Sequence, residues 1–273
     1  MIKLISFDLD FTLLNNHQKI SDYTVKVLTK AHDMGIKIIP CSSRIIQDLP
    51  EFLFEQPWAD YFVSANGALI IDKHKNILWD HVLPKEEVRK ILAVNPPIAS
   101  VISVITAIGV YYLNGLEGLF RQQGFSEQSI NHLMHNRIIV SSFEDVLKKN
   151  IAIYKVAINY SKASQQKQGL PYYQQLQNVA VTSSYPLNIE VTANNVSKGQ
   201  ALSEILAKEN ITWSEVISFG DQYNDYSMLR KAGTGVVMLN GDKDLQQKVG
   251  LITDYDNEND GVARYIAKTL AIA

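Results

Sequence analysis

Two aspartates stand two residues apart at the end of a short apolar run: Leu4-Ile5-Ser6-Phe7 leads into Asp8-Leu9-Asp10. Side chains at i and i+2 of an extended segment point the same way, so both carboxylates can share one pocket. A second acidic group follows another apolar run, Val216 to Phe219, as Gly220-Asp221 with Asn224 and Asp225 just behind. Three or four carboxylates gathered in one crevice repel one another unless a cation sits among them. Hard oxygen donors with water in the remaining positions describe Mg²⁺. Taken singly, these residues have plainer uses. An aspartate at a strand end caps a helix or forms a turn, Ser42 caps a helix, and Lys198 is a solvated cation. What sets them apart is position: each pattern falls at the carboxyl end of an expected core strand or beside one, where open α/β sheets bind ligands.

The elements that must hold these residues alternate between strand and helix. Lys3 to Phe7 is a short strand without polar alternation, as expected when both faces are covered. Ser21 caps a helix running to about Met34, and Gly35 supplies its left-handed stop. Ile36 to Pro40 is the next strand, followed by a helix capped by Ser42 or Ser43. Toward the other end, Val216 to Phe219, Gly235 to Leu239 and Leu251 to Thr253 read as strands. Helices at about 198–210, 224–232, 242–249 and 260–271 separate them. This is the pattern of an α/β protein with a doubly wound parallel sheet.

The middle reads differently. Helices are expected at about 84–93, 126–135, 142–149 and 170–177, and longer, partly alternating strands at 101–113, 151–159 and 179–192. A crossover between neighbouring parallel strands needs roughly 30 residues, and the stretch from Ser42 to Lys198 is far longer. The surplus is expected to form a smaller α+β domain at 83–186, inserted into a core made of 1–82 and 187–273.

Composition removes several function classes. Of 273 residues, 46% are hydrophobic, enough for a substantial core and too many for a disordered chain. Lys plus Arg is 26 and Asp plus Glu is 28, a formal net charge of −2, which lacks the footprint of a nucleic-acid or membrane-surface binder. The single cysteine, Cys41, forms no internal disulfide. The apolar run Ile98 to Leu113 is shorter than the ~20 residues a bilayer needs, and its Val, Ile and Thr content favours strand. A cytoplasmic protein without a secretory signal is expected.

Taken in order, the motifs resemble the haloacid dehalogenase superfamily, specifically its Cof-type sugar-phosphatase branch. The family's DxDGT stands as Asp8-Leu9-Asp10-Phe11-Thr12, and its Thr or Ser before Gly-Arg as Ser42-Ser43-Arg44. Ser64-Ala65-Asn66-Gly67-Ala68 matches the Asn-Gly-Ala stretch, and Ser197-Lys198-Gly199-Gln200-Ala201-Leu202 the lysine motif. Gly220 to Leu229 completes GDxxNDxxML, and Tyr154-Lys155 fits a strand of the branch's cap domain. The resemblance covers nearly the whole chain. It implies a phosphatase of small phosphorylated metabolites, a sugar phosphate first among them, with Mg²⁺ as cofactor.

The resemblance also implies roles. Asp8 is the nucleophile that becomes an aspartyl-phosphate, and Asp10 the acid and base. Mg²⁺ is held by Asp8, Asp221 and the Asp10 carbonyl, with Asp225 supporting the metal or Lys198. Ser42, the amides of Leu9 and Ser43, and Lys198 hold phosphoryl oxygens. Asn224 donates to phosphate or orients Lys198, Asn66 and Gly67 belong to the phosphate and substrate site, and Arg44 either contacts substrate in that site or forms an ion pair on a helix surface. Two departures stand out: Phe11 replaces a glycine beside the catalytic loop, where it could narrow the entrance, and Ser43 replaces another. Alternative outcomes of the same site are a phosphomutase, a phosphatase for pyridoxal phosphate or FMN, and a weakly active regulatory member. His132 and His135, spaced for one helix face, are expected to be solvated rather than metal-bound.

Overall fold

The computed structural model describes every residue except 95, 99, 116, 117, 119, 122, 123, 125, 128, 129, 131–136 and 273. His132 and His135, with most of the helix expected at 126–135, lie outside the described residues. Contacts divide the chain into two units, Met1–Asp80 with Ser197–Ala273, and His81–Val196.

The first unit is built on a parallel sheet. Strands β1 (Leu4–Phe7), β2 (Lys37–Pro40), β12 (Val216–Gly220) and β13 (Thr234–Val237) lie in the order β13-β12-β1-β2. Alternate side chains enter two separate cores, as the period of two requires. Ile5, Phe7, Ile38, Ile217 and Phe219 pack with Val27, Leu28, Val262 and Ile266 of the helices Asp22–Asp33 and Gly261–Leu270. Leu4, Ile39, Val216 and Val237 pack on the other side with Leu202, Ile205, Met228 and Leu245. Those belong to the helices Lys198–Glu209, Tyr226–Lys231 and Lys243–Val249. The sheet is therefore doubly wound, as the sequence indicates.

Local details depart from expectation. No regular helix follows Ser42 and Ser43; the chain makes only the short 3₁₀ turn Ile46–Asp48 and the helix Glu51–Phe54. Leu251 to Thr253 is reduced to a single bridge, Ile252 against Val237. A three-stranded antiparallel sheet, β3 (Tyr61–Ser64), β4 (Leu69–Asp72) and β5 (Ile77–Asp80), adds to this unit; its first turn falls inside the motif stretch at 64–68 and its second at 73–76.

The second unit carries a six-stranded sheet. Its strands are β6 (Val101–Thr106), β7 (Gly109–Leu113), β8 (Arg137–Val140), β9 (Ile153–Asn159), β10 (Val179–Thr182) and β11 (Asn188–Ala193), in the order β10-β11-β9-β6-β7-β8. The apolar run 101–113 is a hairpin rather than one strand. Thr106 Oγ1 accepts the N–H of Ile108 at 3.3 Å and donates to the Gly109 carbonyl at 2.9 Å, which closes the turn. The helices described in full in this unit are Lys85–Ala93, Phe143–Leu147 and Ala163–Gln174; the last starts before the expected 170 and carries Pro171 within it. The chain returns to the first unit at Ser197 and not at 187, because β11 pairs antiparallel with both β9 and β10.

Candidate active site

β1 and β12 are parallel neighbours with Phe7 opposite Phe219, and the Asp8 amide donates to the Phe219 carbonyl at 3.0 Å. Asp8 and Asp221 therefore leave adjacent strand ends on the same edge of the sheet. Carboxylate oxygens of Asp8, Asp221 and Asp225 lie within 4.8 Å of one another, all buried.

Lys198 sits among them. It is the first residue of its helix, behind Ser197, whose hydroxyl accepts from the Gln200 amide, and it is fully buried. Its Nζ donates to Asp8 Oδ1 and to Asp225 Oδ1, each at 2.6 Å. The other oxygen of Asp225 folds back to accept the N–H groups of Asp221 at 2.9 Å and Gln222 at 3.2 Å. Gly220 makes that approach possible, since a Cβ there would lie 2.4 Å from the Asp225 Cβ. Asp225 is thus occupied with the lysine and its own loop. Its geometry fits support of Lys198 better than direct metal ligation. Thr12 donates to Asp221 Oδ1 at 3.1 Å.

The charges do not balance. Three carboxylates face one ammonium, and Asp10 is matched separately by Arg44. Burial, then the neighbouring acids, push the Asp8 carboxyl up to about 7 despite Lys198. The same causes raise Asp221 well above the ordinary carboxylate range. Burial disfavours charge on Lys198, but Asp225 and Asp8 outweigh it and raise its pKa. With one oxygen of Asp8 bonded to Lys198 and one of Asp221 to Thr12, a second oxygen on each remains for a cation. A divalent ion would cancel the excess charge. The Asn224 Oδ1 atom, buried and without a hydrogen-bond donor, is a further polar group awaiting a partner. This donor set fits a hard dication.

Of the two roles open to Arg44, substrate contact and an ion pair, the structure shows an ion pair, with Asp10 as the partner. Its Nε donates to Asp10 Oδ2 at 2.8 Å, Nη2 to Oδ1 at 2.5 Å, and Nη1 to the Asp48 carbonyl at 2.9 Å. Ser42 is buried, its Oγ accepting from the Arg44 amide at 3.1 Å. Leu9 buries its side chain in the core, so its main chain alone can face a ligand. Ser43 is partly buried.

Asn66 and Gly67 hold a tight turn rather than an open loop. Ala65, Asn66 and Gly67 have φ of +50°, +59° and +98°, a run of left-handed residues that costs roughly 1–2 kcal/mol for each residue bearing a Cβ. Such strain persists where surrounding contacts enforce it. A Cβ on Gly67 would come within 2.2 Å of the Ser197 carbonyl, so only glycine lets the turn sit on the start of the lysine helix. Asn224 Nδ2 donates to Asn66 Oδ1 at 3.2 Å, joining this turn to the acidic loop.

Phe11 takes the left-handed conformation, φ +59°, which explains why glycine suits that position. Its carbonyl accepts from Asn240 Nδ2 at 2.8 Å, and Asn240 Oδ1 accepts from the Asn257 amide at 3.2 Å. Asn257 Nδ2 also donates to the Leu14 carbonyl at 3.0 Å. These two asparagines pin the catalytic loop; Asn240 directly follows Met238-Leu239, whereas no pattern in the sequence singles out Asn257. Cys41 lies buried near the cluster, and burial raises its thiol pKa, so it is no thiolate nucleophile.

The family model for haloacid dehalogenase-like hydrolases matches residues 5–266. A 5-amino-6-(5-phospho-D-ribitylamino)uracil phosphatase of Bacillus subtilis is 27% identical, over 97% of this chain and 94% of its own. A haloacid dehalogenase-like hydrolase structure from B. subtilis superposes with a TM-score of 0.84 at 26% identity, covering 97% of this chain and 99% of its own. The subclass IIB sugar phosphatase BT4131 shares the fold, with a TM-score of 0.80 at 23% identity over 99% of this chain and 100% of its own.

Proposed function

This chain belongs to the haloacid dehalogenase-like hydrolases, in their Cof-type branch, and from that premise we propose that it is a Mg²⁺-dependent phosphatase of a small phosphorylated metabolite. The observation that carries the proposal is the charge imbalance at the ends of β1 and β12, where Asp8, Asp221 and Asp225 surround Lys198. Matched ions would need no ligand. These acids need a cation, and a site that sets a carboxylate nucleophile beside a bound dication suits phosphoryl transfer.

Asp8 is ionised whenever the cluster is compensated, so it requires no base. Its obstacle is the phosphate dianion: two like charges ~4 Å apart repel by about 4 kcal/mol at an effective dielectric of ~20. Mg²⁺, held by Asp8, Asp221 and the Asp10 carbonyl, would supply the charge that offsets this repulsion and polarises the phosphoryl group. Asp8 attacks phosphorus, a new O–P bond forms, and the bond to the leaving oxygen breaks as Asp10 protonates that oxygen. Asp10 then takes a proton from the water that attacks phosphorus, which releases phosphate and restores Asp8. An ammonium has three N–H donors; two hold Asp8 and Asp225, so Lys198 keeps one for a phosphoryl oxygen. Ser42 and the amides of Leu9 and Ser43 receive the remaining equatorial charge.

For substrate we propose a phosphorylated polyol or sugar, with the His81–Val196 unit selecting the leaving group. Support comes from the ribityl phosphate in the name of the B. subtilis phosphatase. A phosphate-release screen over sugar phosphates, nucleotides and phosphorylated cofactors tests this. Release from sugar phosphates that needs Mg²⁺ and vanishes in Asp8→Asn supports the reading. Turnover that survives EDTA or that substitution refutes it.

A further inference from the structure

We propose that Arg44 is the positioning residue for Asp10, holding the acid–base carboxyl in the one orientation from which it can reach the leaving oxygen. The proposal rests on the phosphatase reading above, in which Asp10 protonates that oxygen.

A carboxyl on a loop residue turns freely about two side-chain bonds. A general acid must nevertheless come within roughly 2.6–3.2 Å of the atom it serves. Asp10 lies just beyond β1, and its side chain is 36% exposed, so packing alone does not fix it. Arg44 does. Its guanidinium grips both oxygens of Asp10 in a fork, at 2.8 Å and 2.5 Å, which sets the plane of the carboxyl as well as its place.

The fork is itself anchored. The Asp48 carbonyl takes Nη1 at 2.9 Å, so the guanidinium has a third fixed point on the opposite side. The Arg44 main chain is held from two strand ends. Its amide donates to Ser42 Oγ at 3.1 Å, beyond β2, and its carbonyl accepts from Ser64 Oγ at 2.7 Å and the Ala65 amide at 2.8 Å, at the end of β3. An arginine built only to meet an incoming anion would have no need of this scaffold. A lysine, with a point charge, cannot fix a plane. Three of the five N–H donors are committed inward, to Asp10 and Asp48.

The test compares leaving groups. Nitrophenolate departs from p-nitrophenyl phosphate as a stable anion and needs no proton; the alkoxide of a primary alkyl phosphate needs one. kcat/KM reports the steps up to departure of the leaving group. In the Mg²⁺-loaded enzyme, Arg44→Met is expected to lower kcat/KM about 10²-fold for a sugar 6-phosphate, in the range general acid catalysis supplies, and only a few-fold for p-nitrophenyl phosphate. Arg44→Lys is expected to recover little of the alkyl activity. Equal losses on both substrates with raised KM would mean that Arg44 binds the phosphate itself, and the proposal would be wrong. Undiminished activity on both would equally overturn it. If Arg44→Met fails to fold by circular dichroism, Arg44→Lys carries the comparison alone. Asp10→Asn separates the two layers of the argument. If it too discriminates against the alkyl ester while the Arg44 variants do not, only the positioning role falls. If Asp10→Asn slows both esters equally, the acid role in the underlying reading falls first.

Discussion

Each of the two units buries a lysine against acids, and the pairs differ in what surrounds them. In the inserted unit Lys155 of β9 meets Glu190 of the neighbouring strand β11, with side chains only 6% and 4% exposed. In the core unit Lys198 meets Asp8 and Asp225 with Asp221 close by. Among the described residues this is the only group of three side chains placed to hold a metal. A buried lysine therefore marks nothing by itself. An ion pair fastening two strands is a structural device of uncertain net worth, since desolvation offsets attraction. Acids in excess of bases, held together by the backbone against their mutual repulsion, mark a place completed by something the chain does not contain.

That contrast can be broken by experiment, and the largest effect lies in the core. Asp8→Asn is expected to reduce turnover by at least about 10⁴-fold while leaving the fold intact, because no other group can carry the phosphoryl group. Steady-state hydrolysis with a circular dichroism control measures this. Lys198→Met leaves Asp225 buried and unmatched, which should cost about 3–5 kcal/mol as well as abolishing turnover. Lys155→Met should cost a similar amount in stability. Here the contrast sharpens: adding Glu190→Leu to Lys155→Met should restore most of the melting temperature, whereas adding Asp225→Leu to Lys198→Met should restore no activity.

The pH dependence of stability reports on the core cluster. Asp8 titrates near 7 when folded, against an ordinary value of 3.8. The folded state keeps a proton there that the unfolded chain has already released. Stability from this group is therefore greatest below about pH 4 and falls as pH rises toward 7. Thermal melts in EDTA should show that decline, Asp8→Asn should lessen it while the part due to Asp221 remains, and Mg²⁺ should oppose it by binding the ionised form. The smallest expected effect is at the loop. Phe11→Gly relieves roughly 1–2 kcal/mol of left-handed strain and loses about 0.4–1 kcal/mol to the freer unfolded chain. Urea unfolding should detect a net gain between zero and roughly 1.6 kcal/mol.

Much of the core was legible because its signals are local. Runs such as Leu4 to Phe7 and Val216 to Gly220 are too short and too apolar for anything but covered strands, and an acid directly after such a run must emerge at the sheet edge. The hairpin break at Ala107-Ile108 left one local signal, Gly109, within a run otherwise rich in Val, Ile and Thr, and the turn is fixed only by the contacts of Thr106. The end of the insertion was misplaced for a related reason. β11 directly precedes the lysine motif, and nothing local says that it pairs with β9.

The sequence by itself determined the order of the chemistry: carboxylates two apart on a strand, an acidic loop with its glycine, and a lysine opening a helix. Those follow from residue type and spacing, which fix direction within an element. Only the tertiary structure decided who meets whom. It gave Arg44 to Asp10, Asp225 to Lys198 and the loop amides, and Asn240 to the strained Phe11. Apart from the bonds of Asp225 to its own loop, which lie three and four residues apart, these contacts join residues whose separation along the chain carries no periodic signal. Hydrogen-bond geometry over a few ångströms chooses among such partners only after the sheet has brought the strand ends together.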